Sequence, residues 1–283
     1  MLPEGVEHFE MKGDGVLLHC AAMGPPEGPL VLLLHGFPEC WIAWRYQLPA
    51  LAAAGFRAVA PDLRGYGKSD KPGGVAAYRI ESLVRDVDRL IAGLGRERAD
   101  LVGHDWGGHV AWHVAMWNPE RVRKLAVLNV PHPERMLRGL RTLRQLRKSW
   151  YLFFFQLPIL PERFVSPRRL RDGLRHAPAR KGAYDEADLD AIVEAVGDRS
   201  GPIHYYRAAA RYRSPRWRPV MAETLVIWGQ RDNALGEELA APDRRWVPRY
   251  RLERIAEATH WVMADAPDRV NALLLSFLRE RGL

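Results

Sequence analysis

The chain has 283 residues, of which 47% are hydrophobic and 27% charged, with a formal net charge of +8. That composition excludes a disordered chain, and two cysteines, Cys20 and Cys40, are too few for a disulfide scaffold and suit a reducing, cytoplasmic setting. The opening MLPEGVEHFE lacks the features of a secretory leader, and the run WYLFFFQLPIL at 150–160 is too short to span a bilayer, so no stable membrane insertion is expected.

In chain order, residues 15–23 and 30–34 read as strands, followed by RAVAP at 57–61, ADLVG at 99–103 and RKLAVLNV at 123–130. Several are unbroken apolar runs, as expected of strands buried on both faces. Helical segments fall at about 43–54, 81–94 and 106–118, the last stopping before Pro119. From 132 to 218 the chain is rich in Arg, Pro and aromatics and reads as helices and turns. Strands return at TLVIWG (224–229) and YRLERI (250–255). A closing helix opens at DAPD, with Asp265 as N-cap and Val270, Leu273, Leu274 and Phe277 on one face. The alternation predicts an α/β core of residues 1–131 and 219–283, built on a mainly parallel sheet with helices on both faces and interrupted by a helical insertion at 132–218.

Arginines explain the net charge. In RMLRGLRTLRQLRKSW they alternate with Leu137, Leu140, Leu143 and Leu146 at near-helical spacing, which predicts an amphipathic surface helix with a basic solvent face. Attachment to an anionic surface is the sharper reading of the same residues. No RNP, zinc-finger or Walker motif is present, so no nucleic-acid partner is expected.

Residues 101–109, LVGHDWGGH, lay out a strand that ends abruptly, turns on glycine and restarts as a helix. Gly103, Gly107 and Gly108 let such a turn close, leaving Asp105 at its tip beside the positive end of the following helix. A helix-capping aspartate is the bland alternative. Partners later in the chain decide against it. Asp232 follows the strand TLVIWG, and His260 lies in EATHWVMADAP before the last helix, giving nucleophile, orienting acid and general base in the expected order. His35, Gly36, Phe37 and Pro38 follow a buried strand, so the backbone N–H groups of Phe37 and Trp106 suit an oxyanion hole.

A carboxylate attacking a saturated carbon forms an ester that water activated by histidine hydrolyses, whereas serine would leave an ether. The electrophile is therefore expected to be an sp³ carbon bearing a leaving group, such as an epoxide or alkyl halide. No metal or organic cofactor is required. His109 and His113 sit four apart on a helix as zinc ligands can, but HVAWH has no glutamate for the base role. Cys40 has no base partner in view.

HGFPECWIAWRYQLPALAAAGFRAVAPDLRGYGKSDKP at 35–72 and VGHDWGGHVAW at 102–112 resemble the oxyanion-loop and nucleophile blocks of the soluble epoxide hydrolases, within the α/β-hydrolase superfamily. The resemblance implies a mostly parallel eight-stranded sheet with a helical cap inserted after the sixth strand, and a small epoxide and water as substrates. It also implies two cap tyrosines that protonate the departing oxygen. WYLFFFQLP places Tyr151 at one such position, and GPIHYYRAA places Tyr206 at the other, with Tyr205 and His204 as substitutes. Haloalkane dehalogenases are the alternative, but they typically carry Asn in the oxyanion loop or a second Trp from the cap, and the loop position here is Phe37. Fluoroacetate dehalogenases usually place Arg where this chain has Trp106 and His-Trp where it has Tyr151-Leu152. A non-catalytic binding protein on the same scaffold is a third reading. Asn129 stands where some relatives place the acid, yet an amide orients without neutralising an imidazolium. Aromatic residues such as Trp41, Trp44, Phe153 and Phe154, together with Tyr205, suggest an apolar substrate pocket, and a homodimer is compatible with the sequence.

Overall fold

In a computed structural model, which describes residues 2–197, 200–212 and 217–280, the chain folds around one eight-stranded sheet. The strands are β1 (Glu7–Lys12), β2 (Leu17–Met23), β3 (Leu30–Leu34), β4 (Arg57–Pro61), β5 (Ala99–His104), β6 (Val122–Leu128), β7 (Glu223–Gly229) and β8 (Tyr250–Ile255). Their spatial order is β1-β2-β4-β3-β5-β6-β7-β8, antiparallel on either side of β2 and parallel from β4 onward. The expected mostly parallel sheet is present.

The unbroken apolar strands have a simple cause. Along β3, Leu30, Leu32 and Leu34 face one core, while Val31 and Leu33 face the other. Helices Ile80–Gly93 and Asp105–Trp117 cover the first face, and Gln47–Ala53 and Pro267–Arg279 cover the second. Both faces are buried, so neither register tolerates polar side chains.

Strand β1 has no counterpart among the segments read from the sequence. As an edge strand with Glu7, His8 and Glu10 in solvent, it lacks an apolar run and packs only Phe9 and Met11 inward. The closing helix also departs from expectation. Asp265 does not cap it, since its carboxylate accepts hydrogen bonds from the amides of Thr259 (2.7 Å) and Arg180 (2.9 Å), and the cap position is Ala266.

Between β6 and β7 the described residues form helices only, among them Pro133–Gly139, Leu143–Lys148, Trp150–Phe154, Leu160–Phe164, Pro167–His176, Glu186–Val196 and Ser200–Arg211. Positions 198–199 and 213–216 of this stretch lie outside the described residues. The predicted leucine-striped helix is corrected: it is two short helices, broken where Thr142 caps the second, and Leu137 and Leu143 point into solvent. A polar anchor docks this segment instead. Buried Gln145 donates to the Ala234 carbonyl (3.0 Å) and accepts from the Gly236 amide (2.9 Å). Lys148 Nζ donates to the Asp232 carbonyl (2.6 Å), and the Tyr184 hydroxyl donates to Glu39 (2.6 Å).

The turn after β5 depends on glycine contact. A Cβ on Gly107 would run into the backbone carbonyl of Leu34, and one on Gly103 into the Gly108 backbone. Because backbone rather than side chain is in the way, Gly107→Ala should lower the unfolding free energy by about 2 kcal/mol or more in urea titration. A surface control, Gly173→Ala, meets nothing within 4 Å and should leave it unchanged or slightly raised.

Candidate active site

Asp105 opens the helix after β5 with φ of 49°, a left-handed backbone that a non-glycine residue holds only under surrounding constraint. Its side chain lies against Gly36, whose own Cβ would overlap it. One carboxylate oxygen accepts the Phe37 amide at 2.7 Å. The loop behind that amide is fixed by His35, whose Nε2 accepts from the Leu63 amide (3.0 Å). That bond requires the proton on Nδ1, which faces the Gly36 carbonyl at 3.0 Å. Pro38 follows, buried, and the Phe37–Pro38 peptide is cis. The Trp106 amide is the next N–H along the helix start, where amides have no intrahelical acceptor.

His260 enters from the loop after β8. Its Nδ1 is 2.8 Å from Asp232 Oδ2 and its Nε2 is 3.6 Å from Asp105 Oδ2. Burial disfavours the imidazolium, but the two carboxylates outweigh it and raise the histidine to about 10. Asp105 is held below the ordinary carboxylate value for the complementary reason: burial opposes its charge, and the hydrogen bond and charge of His260 prevail. Asp232 is fully committed. Its Oδ1 accepts the amides of Ala234 (2.7 Å) and Leu235 (2.8 Å), and its Oδ2 accepts Asn129 Nδ2 (2.8 Å). Asn129, at φ 44°, therefore donates to the acid and does not replace it.

Tyr151 and Tyr206 meet edge to face, ring centroids 6.0 Å apart. Tyr206 also lies edge-on to Trp106 (4.9 Å) and Phe37 (5.7 Å). Both phenols are raised above their ordinary value, first by burial and next by the Asp105 charge, so both stay protonated beside that carboxylate.

Tyr205 donates its hydroxyl to the Arg64 carbonyl (2.8 Å) and packs on Tyr66, Tyr78 and Trp106. His204 packs on Tyr78. Trp41 is edge-on to His8 of β1 (5.3 Å), Phe154 packs between Trp150 and Phe164, Trp44 is sealed in the core, and Phe153 is exposed. Burial raises the Cys40 thiol, and His113 bonds the His109 carbonyl beside Trp117.

A second polar row behind His260 went unread. His104 Nε2 donates to the His260 carbonyl (2.9 Å), while its Nδ1, without a hydrogen-bond partner among the described residues, faces the equally unpartnered Glu39 Oε2 at 3.6 Å. Burial raises Glu39 to about 7. Such facing orphaned atoms are uncommon in a core. The available signal was Glu39 itself, a carboxylate placed directly after a buried strand and loop.

A tip residue on a strained strand-to-helix turn, served by an acid and a histidine on later loops at the carboxyl edge of a parallel sheet, is the α/β-hydrolase arrangement, and residues 29–267 match the family described as alpha/beta hydrolase fold. Human epoxide hydrolase 4 is 39% identical, covering 96% of this chain and 78% of its own. The AB hydrolase superfamily protein YfhM of Bacillus subtilis is 37% identical over 98% of this chain and 100% of its own. A mutant epoxide hydrolase from Bacillus megaterium, crystallised with its product (R)-3-[1]naphthyloxy-propane-1,2-diol, superposes with a TM-score of 0.85 at 32% identity, covering 96% of this chain and 100% of that one. The chain belongs to the epoxide hydrolase family.

Replacing Asp105 with Asn removes one of the two carboxylates that stabilise the imidazolium. In a histidine NMR titration, His260 should titrate near 10 in the unmodified protein and clearly lower in Asp105→Asn. Because the folded value lies above the unfolded 6.5, the associated stability is complete below 6.5 and lost as pH rises through about 10. Urea midpoints should fall across that window, less steeply in Asp105→Asn.

Proposed function

We propose that this protein hydrolyses epoxides to vicinal diols through an ester on Asp105. The observation that carries this reading is the placement of two protonated phenols beside a carboxylate on a strained elbow. Asp105 attacks an epoxide carbon, its oxygen–carbon bond forms, and the ring carbon–oxygen bond breaks. Tyr151 and Tyr206 bind that oxygen, and one phenol gives it a proton. Esterification erases the Asp105 charge, so His260 loses part of its stabilisation and releases a proton that balances the one the phenol gave up. Neutral His260, oriented by Asp232, then takes a proton from water, which attacks the Asp105 carbonyl carbon. The Phe37 and Trp106 amides hold the resulting oxyanion; as it collapses, the bond from the acyl carbon to the substrate oxygen breaks, that oxygen takes the proton of the newly added hydroxyl, and the diol leaves with the Asp105 carboxylate and the His260 imidazolium restored.

In this scheme residues 132–218 serve as a cap over the core formed by 1–131 and 219–283, since they carry both phenols. One chain supplies every group named; the homodimer admitted by the sequence enters none of the steps. No described helix is long and apolar enough to cross a membrane. Both cysteines are free and buried, which supports a reducing, cytoplasmic setting for the reaction.

His260→Gln should accumulate a covalent adduct of substrate mass on Asp105 when incubated with an aryl epoxide and examined by intact mass. Absence of an adduct sinks the two-step scheme. Tyr151→Phe and Tyr206→Phe should each lower kcat by about 100-fold on epoxides. Halide release from haloalkanes, with no diol from any epoxide, would favour a dehalogenase instead.

A further inference from the structure

The segment from Trp150 to Phe164 has two faces with opposite assignments. Tyr151 and Phe155 turn inward, toward Tyr206 and Phe37. Trp150, Phe153, Leu157, Ile159, Leu160 and Phe164 turn outward, with Phe153 59% and Ile159 62% exposed. The outward set is one surface, because Phe154 packs against both Trp150 (5.7 Å) and Phe164 (5.2 Å) and so joins the two helices that carry it. Scattered exposed apolar residues need no explanation, but a contiguous aromatic and aliphatic patch does.

Charge decides what fits it. Between Arg141 and Arg169 the chain carries seven basic residues and one acid, Glu162. Glu162 is taken by Arg207 (2.5 Å), and Lys148 is turned inward onto the Asp232 carbonyl. Arg169 lies over the Phe164 ring at 4.3 Å, and Arg163 adjoins it. On the preceding helix and its cap turn, Arg141, Arg144 and Arg147 are exposed together with Leu143, which is 74% exposed, Arg144 lying 3.6 Å from the Glu238 carboxylate in a solvent-exposed pair. A second copy of this chain meeting the patch across a twofold axis would set arginine against arginine. An interface that is apolar in the middle and anionic at its rim suits both parts, and an anionic phospholipid bilayer has that layout, with acyl chains beneath a layer of phosphate headgroups.

We propose that this outer face of the inserted helices docks on anionic phospholipid membranes. Trp150, Phe153 and Leu157 insert at the headgroup boundary, and the surrounding arginines pair with phosphates. The protein remains peripheral. Docking sets the bilayer against the outer side of the very segment that holds Tyr151, so apolar epoxides dissolved in lipid reach the site without crossing bulk water; this consequence, though not the docking, rests on the epoxide reading above.

The test is co-sedimentation of the full chain with sonicated vesicles of phosphatidylcholine alone or of phosphatidylcholine with 30 mol% phosphatidylglycerol. Binding is expected on the anionic vesicles, at least tenfold weaker on the neutral ones, and strongly reduced in high salt. Trp150→Ser/Phe153→Ser should lose the apolar contribution and Arg141→Glu/Arg144→Glu/Arg147→Glu the electrostatic one, each weakening binding by tenfold or more. Both variants should keep full turnover of a small water-soluble epoxide, which shows that they fold. No binding to anionic vesicles, or binding unchanged in both variants, overturns the proposal. So does a wild-type dimer in light scattering that the Trp150→Ser/Phe153→Ser variant converts to monomer. Vesicle binding without turnover of any epoxide leaves docking standing and refutes only the function proposed above.

Discussion

The left-handed backbone at Asp105 is the constraint on which the rest of the site depends. It turns the chain from β5 into the following helix within one residue and lifts the carboxylate clear of the sheet edge. The turn closes only because Gly107 and Gly103 let backbone meet backbone, and because Gly36 leaves space for the Asp105 side chain itself. Strain of this kind costs on the order of 1–3 kcal/mol and persists where packing leaves no alternative. Here the doubly covered sheet supplies that packing.

Electrostatics then divide the work between two environments. His260 lies between two carboxylates that hold it charged, and one of them, Asp232, is fixed by two amides, Asn129 and the histidine. On the opposite side, burial and the same Asp105 charge keep two phenols protonated. The Asp105 charge thus favours the protonated form on both sides, together with Asp232 at the histidine and with burial at the phenols. In the proposed reaction, its disappearance on esterification is the signal that frees the histidine to act.

The inserted helices are held by an apolar seam, where Leu174, Leu189 and Ile192 share a buried cluster with Trp41, Ile42 and Trp44, and by polar contacts. Gln145, Lys148, Tyr184 and Tyr205 all reach loops of the core. Leucines that spacing assigns to a buried stripe are left outside, and their exposure beside arginines is what gives this surface its amphipathic character. The same segment thus serves the site on one face and meets the surroundings on the other.

Most of the core was legible in the chain, because apolar runs buried on both faces of a parallel sheet leave little ambiguity in composition. Edge strand β1 was not, since one exposed side dilutes the pattern. The order of Asp105, Asp232 and His260, and the glycines around the turn, were determined by sequence alone: backbone sterics demand those residue types wherever the elbow forms. Only the tertiary structure decided which tyrosine faces the carboxylate. Tyr205 and Tyr206 are neighbours with equal chemistry, and helix rotation sends one hydroxyl to the Arg64 carbonyl and sets the other ring against Phe37, Trp106 and Tyr151. It likewise decided that Asn129 serves Asp232, and that Glu39 Oε2 faces His104 Nδ1 at 3.6 Å. Those outcomes depend on distances between segments remote in the chain, which no local pattern encodes.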